Sequence, residues 1–185
     1  MKVISVNIGR RTEIQWKGKS YSTGIFKSSV PGPIFLGRED VENDSVIDRK
    51  HHGGTDQAVY AYGNNHYPFW QKHYPLLNMN HGFFGENLSV SNLDETNIFV
   101  GDIYELGEAV IQVTKPRQPC LKLGIRFNDT EVIKQFWNTT KSGIYFKILQ
   151  TGKVAIDDEF KLIEKAKDSP SIAEVFRSKK IKPIS

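Results

Sequence analysis

The chain has one cysteine, Cys120, among its 185 residues, and only two methionines. A lone thiol cannot close an internal disulfide, so nothing here speaks for an oxidising compartment or a disulfide-stapled scaffold. The five histidines all fall between His51 and His81, with Asp48 and Asp56 nearby. Their spacing fits no standard zinc pattern and no second cysteine can join them, which argues against a zinc site. Long apolar runs are missing too: none approaches the roughly eighteen residues that mark a bilayer-spanning helix. The first ten residues lack the basic-then-apolar signature of a secretory leader, so a cytoplasmic, unanchored protein is expected. A Walker-type loop, a dinucleotide fingerprint and a serine-nucleophile elbow are likewise absent, which removes the commonest nucleotide and hydrolase readings.

What is present is ordinary globular material. With 38% hydrophobic and 25% charged residues in mixed order, the chain can bury one substantial core and is too short for two ordinary domains. The net charge of +4 is scattered, and its densest group, Arg177, Lys179, Lys180 and Lys182, sits at the C-terminus as a solvated tail. Scattered charge argues against a nucleic-acid partner, because phosphate-driven binding needs a continuous basic surface.

Periodicity favours strands. Val3, Ile4, Val6 and Ile8 form a β-branched segment ended by Gly9, and residues 13–16 form a second. Residues 58–62 read as a strand, and residues 66–74, with Phe69, Trp70 and His73 at helical spacing, as a short helix ended by Pro75. Residues 103–106 and 109–114 around Gly107-Glu108 predict a hairpin, and residues 144–150 and 153–164 around Thr151-Gly152 a second. Asn128 or Asp129 can cap a helix reaching Lys141, with Val132, Ile133, Phe136 and Trp137 on one face. Ser169-Pro170 predicts the start of a brief C-terminal helix carrying Ile172, Val175 and Phe176. Many short strands, few helices and no βαβ rhythm predict a mainly β barrel over residues 1–167, followed by a short helical, basic tail over 168–185.

Three segments could carry chemistry. Cys120 follows Lys115-Pro116-Arg117-Gln118-Pro119, where two prolines stiffen the backbone, and Lys115, Arg117 and Lys122 are close enough in sequence to favour a thiolate. A thiolate is a soft-metal ligand or a nucleophile, whereas the commoner role of a lone cysteine is that of a small buried hydrophobe. His51-His52-Gly53-Gly54-Thr55-Asp56 sets paired glycines before a strand, where main-chain amides can meet an anion; the bland alternative is a surface turn. Gly82-Phe83-Phe84-Gly85-Glu86-Asn87-Leu88 places a carboxylate and an amide after glycines and ahead of a short apolar strand. The aromatics Tyr60, Tyr62, Tyr67, Phe69 and Trp70, at strand and helix spacing, are the stuff of a core.

Taken in order, the motifs resemble the MOSC family, the molybdenum cofactor sulfurase C-terminal domain, and within it the stand-alone bacterial YiiM-like branch. The carrying residues are Gly24-Ile25-Phe26-Lys27, Asp48 with the run from His52 to Tyr62, His66-Tyr67-Pro68-Phe69-Trp70, Phe84-Gly85-Glu86-Asn87-Leu88, Val100-Gly101-Asp102 and Arg117-Gln118-Pro119-Cys120. The resemblance implies a MOSC-type, pyruvate-kinase-like β-barrel that binds molybdenum cofactor, with Cys120 as metal ligand and catalytic residue. It further implies reduction of N-hydroxylated compounds such as hydroxylaminopurines, with electrons from a separate flavin or haem protein. Arg117 and Lys27 would then meet the cofactor phosphate, and His52, Gly53, Gly54, Asp56, Asn87 and Gln118 would line the pterin or substrate side. A homodimer is compatible with this reading.

The sequence departs from the family pattern in three places. No glycine occurs in Glu42-Asn43-Asp44-Ser45-Val46, where relatives often turn on one; Gln57 stands where a basic residue is common; and the chain after Lys167 has room for one helix where the branch usually continues into three. Two other functions compete with the molybdenum-dependent reductase. Cys120 could carry a persulfide and deliver its sulfur to a metal centre elsewhere, or the basic balance and aromatics could serve a non-enzymatic binding module.

Overall fold

The strands are short because turn-formers interrupt the apolar alternation every few residues. The computed structural model describes residues 1–45 and 54–180. In chain order the strands are Val3–Gly9 (β1), Thr12–Trp16 (β2), Lys19–Thr23 (β3), Lys27–Ser29 (β4), Ile34–Leu36 (β5), Val59–Gly63 (β6), Leu88–Val90 (β7), Ile103–Leu106 (β8), Ala109–Pro116 (β9), Ile144–Gln150 (β10), Gly152–Val154 (β11) and Lys161–Glu164 (β12). The α-helices are Tyr67–His73 (α1), Leu121–Phe127 (α2), Glu131–Trp137 (α3) and Ile172–Lys180 (α4).

Eight strands form one sheet in the order β12-β8-β9-β10-β6-β7-β1-β4, antiparallel except for the β6–β7 pair. The fold is thus mainly β, as the sequence predicts, but the sheet does not close into a full barrel, and only a few main-chain contacts join its start to the segment before β12. Val3 donates to the Asp158 carbonyl at 2.9 Å, Phe160 donates to that of Met1 at 3.0 Å, and Lys2 and Glu159 form an antiparallel bridge. The segment leading into β12 therefore meets the start of β1 through an isolated bridge, not a full ladder. β2 and β3 form a separate hairpin whose turn residues Lys17 and Gly18 both have positive φ, 48° and 77°.

Strand alternation separates two buried layers. Val59 and Ala61 of β6 join an aliphatic core with Val6, Leu88, Ile111, Val113 and Phe146, while Tyr60 and Tyr62 of the same strand face an aromatic cluster with Trp70, Phe84, Phe127 and Phe136. Helices α1 to α4 all contribute to that second cluster. Inside it the Trp70 indole donates to the Tyr62 hydroxyl at 2.7 Å, and Trp70 stacks on Phe136 with centroids 5.6 Å apart. His66 pairs with Glu95 at 3.1 Å, and Glu95 also accepts from the Gly143 amide at 2.9 Å, tying the start of α1 to the start of β10.

Four expectations are corrected. β11 leaves β10 and pairs with β5, and β12 pairs with β8, so the second hairpin does not form. The helix placed over 129–141 is confined to Glu131–Trp137, and a preceding helix, α2, starts directly after Cys120. α4 starts two residues later than Ser169-Pro170 suggests, because Ser171 and Glu174 close a capping box: the Ser171 amide donates to Glu174 at 2.8 Å and Ser171 Oγ accepts from the Glu174 amide at 3.2 Å. Nor is α4 merely a solvated tail. Ile172 reaches the aliphatic core and Phe176 stacks on Trp137 with centroids 4.6 Å apart, leaving only the opposite, basic face in water. No helix among the described residues is long and apolar enough to cross a membrane.

Candidate functional site

The site begins with strand register. Tyr145 on β10 lies opposite Lys115 on β9 and Tyr60 on β6, so Lys115, Tyr145 and Tyr60 form one row across three neighbouring strands. β9 ends at Pro116, and the two prolines flanking Arg117 and Gln118 carry the chain to Cys120, whose extended backbone (φ −134°, ψ 175°) immediately precedes α2. The consequence is a half-buried thiol at the edge of the row, in the wall of a cavity of about 510 Å³ that it shares with Tyr21, Gln57, Lys115, Gln118 and Tyr145.

Behind this wall stands a buried cation. Arg117 is 5% exposed, its guanidinium lies 5.1 Å from the centroid of the Tyr60 ring, and Nη1 donates to the Phe84 carbonyl. Burial works against its charge, but Tyr60, Tyr145 and Cys120 outweigh that penalty, so Arg117 stays protonated. Burial also raises the Tyr145 phenol above its ordinary value; Arg117 opposes the rise and Cys120 adds to it. Cys120, Arg117 and Tyr145 are thus one electrostatic unit.

A second buried group adjoins it. Asn87 exchanges bonds with Tyr60, its amide donating to the Tyr60 carbonyl at 2.9 Å, while its side chain donates to Asp44 Oδ2 at 2.9 Å. Asp44 forms an ion pair with Lys27, both side chains less than a tenth exposed, and accepts from the Gly9 amide at 2.8 Å. Burial lowers the Lys27 ammonium from its ordinary value, against the pull of Asp44 and, more weakly, Glu86. The approach of three chain segments at this point requires glycine. A Cβ on Gly9 would collide with the Gly24 carbonyl, and one on Gly24 with that of Ser45.

Glu86 lies beneath both groups and is fully buried. Oε1 accepts from Tyr67, from the Gly82 amide at 2.8 Å and from Ser89 at 2.8 Å, whereas Oε2 has no hydrogen-bond partner. Its carboxylate braces the loop that presents the Phe84 carbonyl and Asn87. A further opening of about 590 Å³ is bordered by Lys27, Ser28, His81 and Arg126, the last sandwiched between Phe26 and Phe83 at 4.6 and 4.5 Å.

Of the residues singled out from sequence, Cys120, Arg117, Asn87 and Lys27 are linked by this chain of contacts, and Gln118 borders the same cavity as Cys120. Gly54 heads a short turn (φ 79°) anchored to β9 through Thr114, whose hydroxyl donates to the Asp56 carbonyl at 2.7 Å; the Asp56 residue is exposed. Asp48, His51, His52 and Gly53 lie outside the described residues. Sequence reasoning missed Tyr145, Tyr21 and Arg126 as cavity residues and Asp44 as the partner of Lys27. Tyr145 could have been found by extending the strand register from Tyr60, but nothing in the sequence pairs Lys27 with Asp44. Among the described residues no three metal-binding side chains of the His, Cys, Asp and Glu types cluster together.

Comparison with known proteins adds a family. The MOSC domain matches residues 48–161. The uncharacterized protein YflK of Bacillus subtilis (strain 168) is 38% identical over 172 residues, 92% of this chain and 76% of YflK. A protein named reductase from Gibberella moniliformis (strain M3125 / FGSC 7600) is 33% identical over 173 residues, 91% of this chain but 30% of that longer protein. The crystal structure of YiiM from Geobacillus stearothermophilus superposes with a TM-score of 0.80 at 30% identity, covering 97% of this chain and 84% of that one.

Proposed function

The chain belongs to the MOSC domain family, and from that premise we propose that it holds molybdenum cofactor through Cys120 and reduces N-hydroxylated small molecules of the hydroxylaminopurine type. The observation that carries this reading is the half-buried Cys120 thiol, which opens into a 510 Å³ cavity while a buried Arg117 stands behind it. The donor set fits the group: a thiolate is a soft ligand suited to molybdenum, and fixed cations suit a phosphate. In this reading Arg117 and Lys27, with Arg126 beside Lys27 at the second opening, would meet that phosphate, and Asn87 would fix a neighbouring polar edge.

When bound, the cofactor would supply the two-electron, oxygen-accepting chemistry, and the electrons would come from a separate flavin or haem protein. Converting an N-hydroxyl group to an amine consumes two electrons and two protons and releases water. The chain's own task is to hold the thiolate, neutralise anionic charge with Arg117, and orient the substrate against the cavity wall. The name reductase borne by one relative is compatible with this reading.

Protein purified from a cofactor-competent host should contain molybdenum and reduce 6-hydroxylaminopurine with an artificial electron donor. A Cys120→Ser variant should fold with an unchanged urea midpoint yet lose the metal, since serine is nearly isosteric but a far poorer soft-metal ligand. Metal-free wild-type protein from that host defeats the proposal, and a labile extra sulfur on Cys120 in such protein supports the sulfur-carrier alternative instead.

A further inference from the structure

The hairpin β2–β3 stands apart from the main sheet, yet it delivers one residue to the cavity of Cys120. That residue is Tyr21, half-buried, paired across the hairpin with Ile14. Tyr145 from β10 borders the same cavity, and so do two carboxamides, Gln57 from the turn before β6 and Gln118 beside the thiol. Two phenol rings offer π-faces, and each carboxamide offers one acceptor oxygen and two N–H donors, the set that matches the amidine-like edge of a nitrogen heterocycle.

We propose that Tyr21, with Gln57 and Gln118, is the specificity determinant of this site: Tyr21 stacks on a planar, amidine-bearing heterocycle of the substrate while the two carboxamides read its edge. The assignment rests on the molybdenum reading of Cys120 and extends it to Tyr21, which lies outside every motif that carries the family resemblance. A pterin has the same chemistry as a purine, so the two must be told apart. Lys27, Asn87 and Arg117, the groups assigned above to the cofactor, do not border the Tyr21 cavity, whose cations are Lys115, Lys122 and Lys179; Cys120 and Gln118 are common to both sets. On that assignment Tyr21 stands on the substrate side of the thiol.

The test uses the holoprotein and two variants. Tyr21→Leu should raise KM for 6-hydroxylaminopurine by about five- to a hundredfold, the range expected for losing one base–aromatic stack. Its kcat and molybdenum content should stay within about twofold, and KM for an aliphatic N-hydroxyamidine should not change. Tyr21→Phe, which keeps the ring, should behave as wild type and separates stacking from a misfolded hairpin. An unchanged KM for the purine overturns the proposal, and so does loss of molybdenum from Tyr21→Leu, which would place the ring against the pterin. A second arm needs no metal: adenine, which cannot be reduced, should bind wild-type and Tyr21→Phe protein freed of cofactor, read by saturation-transfer NMR, and bind Tyr21→Leu several-fold more weakly. Failure of adenine to bind wild type refutes this inference alone, whereas metal-free protein that still binds adenine refutes only the molybdenum reading.

Discussion

The two faces of β6 are built from the same five-residue strand and do different work. Inward, Val59 and Ala61 pack into a layer dominated by valine, isoleucine and leucine; outward, Tyr60 and Tyr62 enter a cluster of tyrosine, phenylalanine and tryptophan. Aliphatic side chains fill most of the inner layer and offer few polar groups to a ligand. Aromatic rings are large, carry polar tips and attract cations, which is why Arg117 can be buried against Tyr60 and why the cavity lies on the outer layer. The lesson is that the barrel interior is a scaffold and the outer layer is both scaffold and site. Damage to the first should cost stability alone, and damage to the second should cost stability and site geometry together.

The sharpest break of that comparison is Trp70→Ala. The indole is fully buried, stacks on Phe136 and donates to Tyr62, so its removal should lower stability by about 3–5 kcal/mol. A fall in the urea midpoint at constant slope checks the magnitude. Because Cys120 is the chain's only cysteine, the rate of its alkylation in the folded state reports the site without interference. That rate should change several-fold in Trp70→Ala, since Tyr62 and Phe84 lose their backing; an unchanged rate would mean the outer layer does not shape the site.

The elements that build these layers are legible in the sequence more readily than the layers themselves, and the reasons differ by element. β6 is legible as a strand-like run over residues 58–62, and α1 is legible from Phe69, Trp70 and His73 and the proline beyond. α2 escaped notice because it is seven residues long, contains Gly124 and has no side-chain cap at Cys120. β11 was assigned to the wrong partner because a Thr-Gly turn between apolar runs is a local signal, whereas its pairing with β5 joins residues far apart in the chain. The thiol and its cationic neighbours could be named because the prolines and charges are adjacent in sequence. The Lys27–Asp44–Asn87 group could not, since its members meet only when glycines 9 and 24 let three segments close.

The next effect tests the barrel side through a charge. The Asp102 carboxylate is fully buried and accepts from Lys165 at 2.8 Å and from the Phe99 and Ala166 amides, each at 2.9 Å. Burial alone would raise its pKa, but these donors overcome that and hold it below the usual carboxylate value. A depressed folded pKa means the unfolded chain takes up the proton first. The stabilisation is therefore complete above the ordinary value of about 4 and is lost as pH falls from there through the folded value. Asp102→Asn should cost about 2 kcal/mol at pH 7 and make the urea midpoint less steep with pH in the acid range, while Cys120 alkylation stays unchanged. Ile111→Val, one methylene from the aliphatic layer, should cost about 1 kcal/mol with the same indifference at the thiol.

The smallest expected effect marks where the comparison ends. Lys161 on β12 pairs with Glu105 on β8 at 3.0 Å, with the two side chains 70% and 47% exposed. Both belong to the strand pair near the point where the start of β1 meets the segment before β12, so the contact invites the view that it fastens the two together. Solvent screening and the entropy of two long side chains argue otherwise, and Lys161→Met should change stability by less than about 0.5 kcal/mol. The closure instead rests on main-chain bonds between residues 1–3 and 157–160, which no side-chain substitution removes directly. Hydrogen exchange distinguishes the two ideas. Protection of the Val3 and Phe160 amides should survive Lys161→Met unchanged, and a selective loss there would show that a surface ion pair, not the backbone bridge, holds the two ends of the sheet together.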